Sequence, residues 1–357
     1  MRCQLLASFL LVALGAMLAG TATADTRRPD WQEPLLERLQ AIAAKQDGEL
    51  GVYVKDLHSN LAVTLQAESL WYMASGIKVP VAIAVLRGVE RGDWGLDTRL
   101  GLVANDFVDG AGSTNQYGPG ERLSVRFLLE QMIIYSDNTA TDRLIRLVGL
   151  DALNGLVREL VPEGFEPITT LGDVRRHIYA ELHPAAAQLG GRDLLRLRQA
   201  RQEDARLDRL ASLLGVPRSA LAPISLGEAY AAYYRSNLNA ATLLAYGELL
   251  ERLATGQALG NEQTAYLLSV MGRVKTGTQR LVAGLPKDAR FAHKTGTQRA
   301  RICDSGLIQT PERGTAEPVL IVACVQGETS LVKAERALRQ VGEALTASGV
   351  LTRDALN

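Results

Sequence analysis

Strand-like segments sit towards the two ends of this 357-residue chain, with a long helical block between them. Leu50 to Leu57 alternates, placing Val52 and Val54 on one face and Tyr53 and Lys55 on the other. His58-Ser59-Asn60 then makes a turn into a second short strand, Leu61 to Gln66. Strand character returns near Phe291, and Arg301 to Gln309 with Pro318 to Gln326 reads as another hairpin. Helical spacing marks Asp30 to Gln46 through Leu35, Leu36, Leu39 and Ile42, and Leu331 to Leu345 as a final helix. From Ser75 to about Ala254 the chain is mostly helical, interrupted by loops such as Asp109 to Gly120. This pattern predicts an α+β fold: an antiparallel sheet with flanking helices from residues 25–68 and 286–357, and a helical domain over 69–285. The stretch 184–235 reads as an insertion in that domain, and its Arg-rich part, Arg192 to Arg209, as a solvated helix face.

Composition removes several function classes. Lys+Arg and Asp+Glu are both 39, so nucleic acid is not an expected partner. Four scattered histidines and three cysteines provide no metal-site spacing, and no metal or cofactor is expected. Arg2, the apolar run Leu5 to Leu18 and Ala22-Thr23-Ala24 predict a signal peptide over residues 1–24, hence a secreted or periplasmic protein. The run is too short for a bilayer core of about 30 Å, so no stable membrane anchor is expected. A monomer is expected. Cleavage would leave Cys303 and Cys324, whose midpoint falls in Pro311-Glu312-Arg313-Gly314. They are predicted to be cross-strand neighbours, either bonded or present as two small buried thiols.

Three short motifs carry chemistry. Ser75-Gly76-Ile77-Lys78 opens an apolar helix, so its serine and lysine share a face, and a desolvated lysine there can take the serine proton. Ser330-Leu331-Val332-Lys333 has the same spacing, but Ser330 reads as the cap of the last helix. Ser136-Asp137-Asn138 stands at a helix start. Lys294-Thr295-Gly296-Thr297 continues a strand whose lysine and hydroxyls suit a carboxylate and whose glycine permits close backbone approach. The hexapeptide Lys-Thr-Gly-Thr-Gln-Arg also occurs at 275–280, in dissimilar surroundings.

In this order the motifs match the S-x-x-K, S-D-N and K-T-G signature of class A β-lactamases and penicillin-binding proteins. The chain resembles that superfamily over most of its mature length, and the class A serine β-lactamases in particular. Ala283-Gly284-Leu285-Pro286 ahead of His293-Lys294 favours Lys294 over Lys275 as the functional lysine. The resemblance implies that Ser75 attacks a carbonyl carbon, with Lys78 assisting its deprotonation. Ser136 and Lys294 would relay a proton to the leaving nitrogen. Asn138 would bind the substrate's amide side chain; Thr295, Gly296 and Thr297 would form the carboxylate-binding strand. The backbone N–H groups of Ser75 and Thr297 would make the oxyanion hole.

Two features depart from the family. Its deacylating glutamate is ambiguous: Glu166 is followed by Pro167, whereas Glu181 follows Thr169-Thr170-Leu171-Gly172-Asp173, an order that favours Glu181. Four residues beyond these stand Thr170 and Ala185, where class A enzymes have asparagine. The additional arginine of the carboxylate site falls to Arg299 or Arg301, depending on strand register. The expected activity is β-lactam hydrolysis through an acyl-enzyme. The alternative is a penicillin-binding, D-Ala-D-Ala peptidase-like enzyme that deacylates slowly, acting on a peptidoglycan-like substrate.

Overall fold

The computed structural model of the protein describes residues 31–313 and 318–352; the segment read as a signal peptide lies outside them. In chain order the elements are α1 (Gln32–Ala43), β1 (Glu49–Asp56), β2 (Ala62–Leu65), β3 (Leu70–Tyr72), α2 (Lys78–Arg91), β4 (Arg99–Gly101), β5 (Arg122–Ser124) and α3 (Val125–Ile134). There follow α4 (Asn138–Val148), α5 (Leu150–Leu160), α6 (Leu171–Ala180), α7 (Gly191–Gln199), α8 (Glu203–Leu214) and α9 (Leu226–Tyr234). The chain ends with β6 (Ala240–Thr242), α10 (Leu243–Ala254), α11 (Asn261–Met271), β7 (Arg290–Gln298), β8 (Arg301–Gln309), β9 (Val319–Gln326) and α12 (Leu331–Ser348).

Both chain ends meet in one five-stranded antiparallel sheet of order β2-β1-β9-β8-β7. The central strand β9 is apolar almost throughout because both of its faces are covered. Val319, Ile321, Ala323 and Val325 pack against α1 and α12, through residues such as Leu35, Leu39, Leu338 and Val341. Leu320, Val322 and Cys324 face the helical core, which holds Ile83, Leu86, Leu128 and Leu249. Period-two alternation thus sorts one strand between two cores. Cys303 and Cys324 are paired across β8 and β9 and joined by a disulfide. Ser330 caps α12, accepting from the Lys333 N–H, as its sequence context suggests.

Residues 184–235 belong to a larger helical unit that begins at α6. Val174, Ile178, Leu194, Leu197, Leu207, Leu210, Leu226 and Ala229 form a separate core there. That core includes Tyr72 and Ala74, so the unit is packed against the turn that carries Ser75. No described helix is long and apolar enough to cross a membrane.

Candidate active site

Ser75 lies on a single 3-10 turn, Ala74–Ile77, between β3 and α2. Two bonds hold this turn: the Gly76 N–H donates to Met73 O at 2.8 Å, and the Tyr246 hydroxyl of α10 donates to Gly76 O at 2.9 Å. Ala74 has φ of 48° and Ser136 has φ of 64°. Left-handed backbone at non-glycine residues costs on the order of 1–3 kcal/mol and persists only where surrounding packing imposes it. Here it flanks the serine and turns the Ser136 carbonyl towards the lysine.

Lys78 is fully buried at the first position of α2. Its Nζ donates to Ser136 O (2.6 Å), Ser136 Oγ (3.1 Å) and Asn138 Oδ1 (2.7 Å). Among the described residues no hydrogen bond joins it to Ser75 Oγ. Burial brings the Lys78 ammonium down to about 7; nearby Asp137 and Asp142 oppose the shift, and Arg175 adds to it. Lys294, 1% exposed, donates from Nζ to the same Ser136 Oγ at 3.0 Å and to Thr295 O at 2.9 Å. Burial, then the neighbouring Lys78 and Arg280 cations, hold its pKa well below the lysine range. Ser136 Oγ therefore bridges two amines whose charged forms burial disfavours. The sequence-predicted Ser136, Asn138, Lys78 and Lys294 come together, and Ser75 stands one turn before Lys78.

Asp137 is structural. Its carboxylate accepts from the Ala140 N–H as the cap of α4 and from the Thr114 N–H of the adjoining loop. Asn138 is held at both ends, accepting from Lys78 and donating from Nδ2 to Asp109 O at 2.6 Å.

β7 forms the opposite wall as the edge strand of the sheet. A Cβ on Gly296 would lie 2.4 Å from Met73 O, so only glycine lets this strand approach the serine turn so closely. Thr295 Oγ1 is hydrogen-bonded to Thr276 Oγ1 at 2.5 Å. Thr297 Oγ1 accepts from Arg280 Nη2 at 2.7 Å, and Arg280 Nη1 donates to Gly296 O and Cys303 O. The guanidinium beside β7 is thus Arg280, which sequence reasoning missed. Arg301 instead stacks on Tyr234 at 4.4 Å, and Arg299 lies over Gly227 of α9. The available signal was the duplicated hexapeptide: the copy at 275–280 backs the copy at 294–299 through Thr276 and Arg280. Lys275 is exposed at the surface, unlike Lys294.

Neither sequence-predicted glutamate joins this cluster. Glu181 is exposed at the C-terminal end of α6, and the Glu166 backbone pairs with Ala240 beside β6. The acids that act on Lys78 are Asp137 and Asp142. Asp142, whose carboxyl burial raises to about 7, accepts from the Leu171 and Gly172 N–H groups, one per oxygen, and so anchors the start of α6. One turn along α6, Arg175 pairs with Asp109 at 2.7 Å.

The chain has relatives throughout this fold. It is 26% identical over 267 residues to β-lactamase CTX-M-6 of Salmonella typhimurium, covering 73% of this chain and 71% of that one. It is 32% identical over 151 residues to a Streptomyces lavendulae β-lactamase, covering 39% and 48%. Among solved structures, a β-lactamase from Xanthomonas campestris pv. campestris superposes with a TM-score of 0.66 at 24% identity, covering 89% of this chain and 98% of the other. PBP-A superposes with a TM-score of 0.65 at 21% identity, covering 88% and 95%. Residues 34–348, from α1 to the end of α12, match the Beta-lactamase enzyme family, and with the serine, paired lysines and glycine-strand geometry in place the chain belongs to that family.

Proposed function

We propose that the protein is a serine acyl-enzyme of the penicillin-binding type, which opens β-lactams and peptidoglycan-like amides quickly and releases the acyl group slowly. Lys78, near half neutral at pH 7, accepts the hydroxyl proton as Ser75 Oγ bonds to the carbonyl carbon. As the C–N bond breaks, Ser136 Oγ, shared by Lys78 and Lys294, passes a proton to the leaving nitrogen. One O–H is lost, one N–H gained, and an ester replaces the amide. The Thr295 and Thr297 hydroxyls, the second held by the buried Arg280, bind the substrate carboxylate beside the edge strand.

One observation supports the slow second step: among the described residues, the two carboxylates that act on Lys78 are already engaged in holding backbone. Both Asp137 oxygens and both Asp142 oxygens hold backbone N–H groups, and the remaining charged neighbour is a guanidinium. Deacylation requires a base within hydrogen-bond reach of the attacking water. The Cys303–Cys324 disulfide supports action outside the cytoplasm, after export directed by residues 1–24.

The test is burst against turnover. Purified mature protein should take up one penicillin acyl mass on Ser75, and Ser75→Ala none. Steady-state hydrolysis should then run at least about a hundredfold slower than acylation. Hydrolysis of a chromogenic cephalosporin over many rapid cycles would instead establish the β-lactamase reading.

A further inference from the structure

Beside Asn138 lies a groove of about 650 Å³. Asp109, Gly110 and Asn115 form one wall; Leu195, Arg198 and Arg201, from α7 and the turn after it, form the other. The groove adjoins Asn138 directly, because a Cβ on Gly110 would lie 2.8 Å from Asn138 Nδ2. Its charge is unbalanced. Asp109 is the one carboxylate of the lining, and Arg175 already pairs with it through Nε at 2.7 Å and Nη2 at 3.3 Å. Arg198 stands 4.0 Å from the same carboxylate, and Arg201 adds a third guanidinium. Arg175 Nη1 is buried and has no acceptor among the described residues. Arg175 is not part of the lining, so the cations that a ligand meets in the groove are Arg198 and Arg201.

We propose that this groove is an anion-selective subsite: the preferred substrate carries a carboxylate on the acyl side of the scissile amide, and Arg198 and Arg201 receive it. The inference rests on the acylation chemistry proposed for Ser75 and specifies its substrate class. The helical unit at 171–234 then has a role beyond its own core, because it supplies α7 and the turn after it, which carry Arg198 and Arg201.

The experiment compares two penicillins with the same benzyl side chain, one bearing an added carboxylate on the benzylic carbon. Second-order acylation rates are read as the Ser75 adduct by mass spectrometry at low salt and again at about 0.5 M salt. The carboxylated compound should acylate about tenfold faster at low salt, and the ratio should shrink as screening shortens the reach of the exposed arginines. In the double variant Arg198→Ala/Arg201→Ala, both positions being on the surface, the ratio should collapse towards one. A ratio near one in the unaltered protein would overturn the subsite. So would a high ratio that survives the double substitution. Absence of an adduct from either compound would overturn the proposed function itself, and the subsite with it.

Discussion

Substituting Gly296 by alanine tests whether the two walls of the site are held together by backbone contact. The new Cβ would stand 2.4 Å from Met73 O and 3.4 Å from the Ala74 Cβ. Neither obstacle can swing away: the first is backbone, and the second belongs to the left-handed residue ahead of Ser75. Restoring even a tight contact of about 3 Å moves β7 or the serine turn by roughly 0.6 Å. Overpacking of this kind costs about 1–3 kcal/mol of stability. The catalytic penalty is larger, because a misplacement near 1 Å costs about a hundredfold in rate. The displaced strand carries Lys294, which shares Ser136 Oγ with Lys78. Gly296→Ala should therefore acylate between about ten and a hundred times more slowly with penicillin, while remaining folded by circular dichroism. Gly101→Ala is the control: a Cβ there meets nothing within 4 Å, so rate and melting temperature should hold. If Gly296→Ala acylated at the unaltered rate, or lost stability without losing rate, the close-approach argument would be wrong.

Two further outcomes follow from the electrostatics. Lys78 must lose its proton to act as a base, so the acylation rate should rise with pH and level off above about 7; at pH 6 it should be near a tenth of the plateau, and a profile still climbing towards pH 10 would refute a depressed lysine. Arg280→Ala should raise the concentration of β-lactam needed for half-maximal acylation by about tenfold or more, whereas Arg301→Ala should change it little, since Arg301 lies on Tyr234; equal effects would return the carboxylate site to the β7–β8 turn.

Most of the architecture was legible in local pattern. The observed α1, α12, β1, β2, β8 and β9 fall within a few residues of the segments marked by spacing alone, because each buries a regular face. The pairing of Cys303 with Cys324 was legible for a related reason: a hairpin with a short connection places residues equidistant from its turn opposite each other. The polar residues of the candidate site were readable only because S-x-x-K, S-D-N and K-T-G occur together in an order that resembles a known family; each motif alone reads as a helix start or a strand edge.

What lay beyond the sequence involved residues far apart along the chain. Arg280 reaches Thr297 from a loop, and the hexapeptide it ends, though duplicated at 294–299, does not say that the two copies meet in space. The deacylating glutamate was sought on a segment whose order matched the family, yet that segment forms a capped helix. Asp142, on a different helix, binds its first two N–H groups, Arg175 faces inward to Asp109, and Glu181 is left exposed at the far end. Sequence by itself determined which residue types stand at each element's start and which faces are apolar, since these depend on neighbours three or four positions away. Only the tertiary structure decided which charges meet in the cleft and what they do to one another's protons, because burial and charge proximity are set by packing between elements remote in sequence.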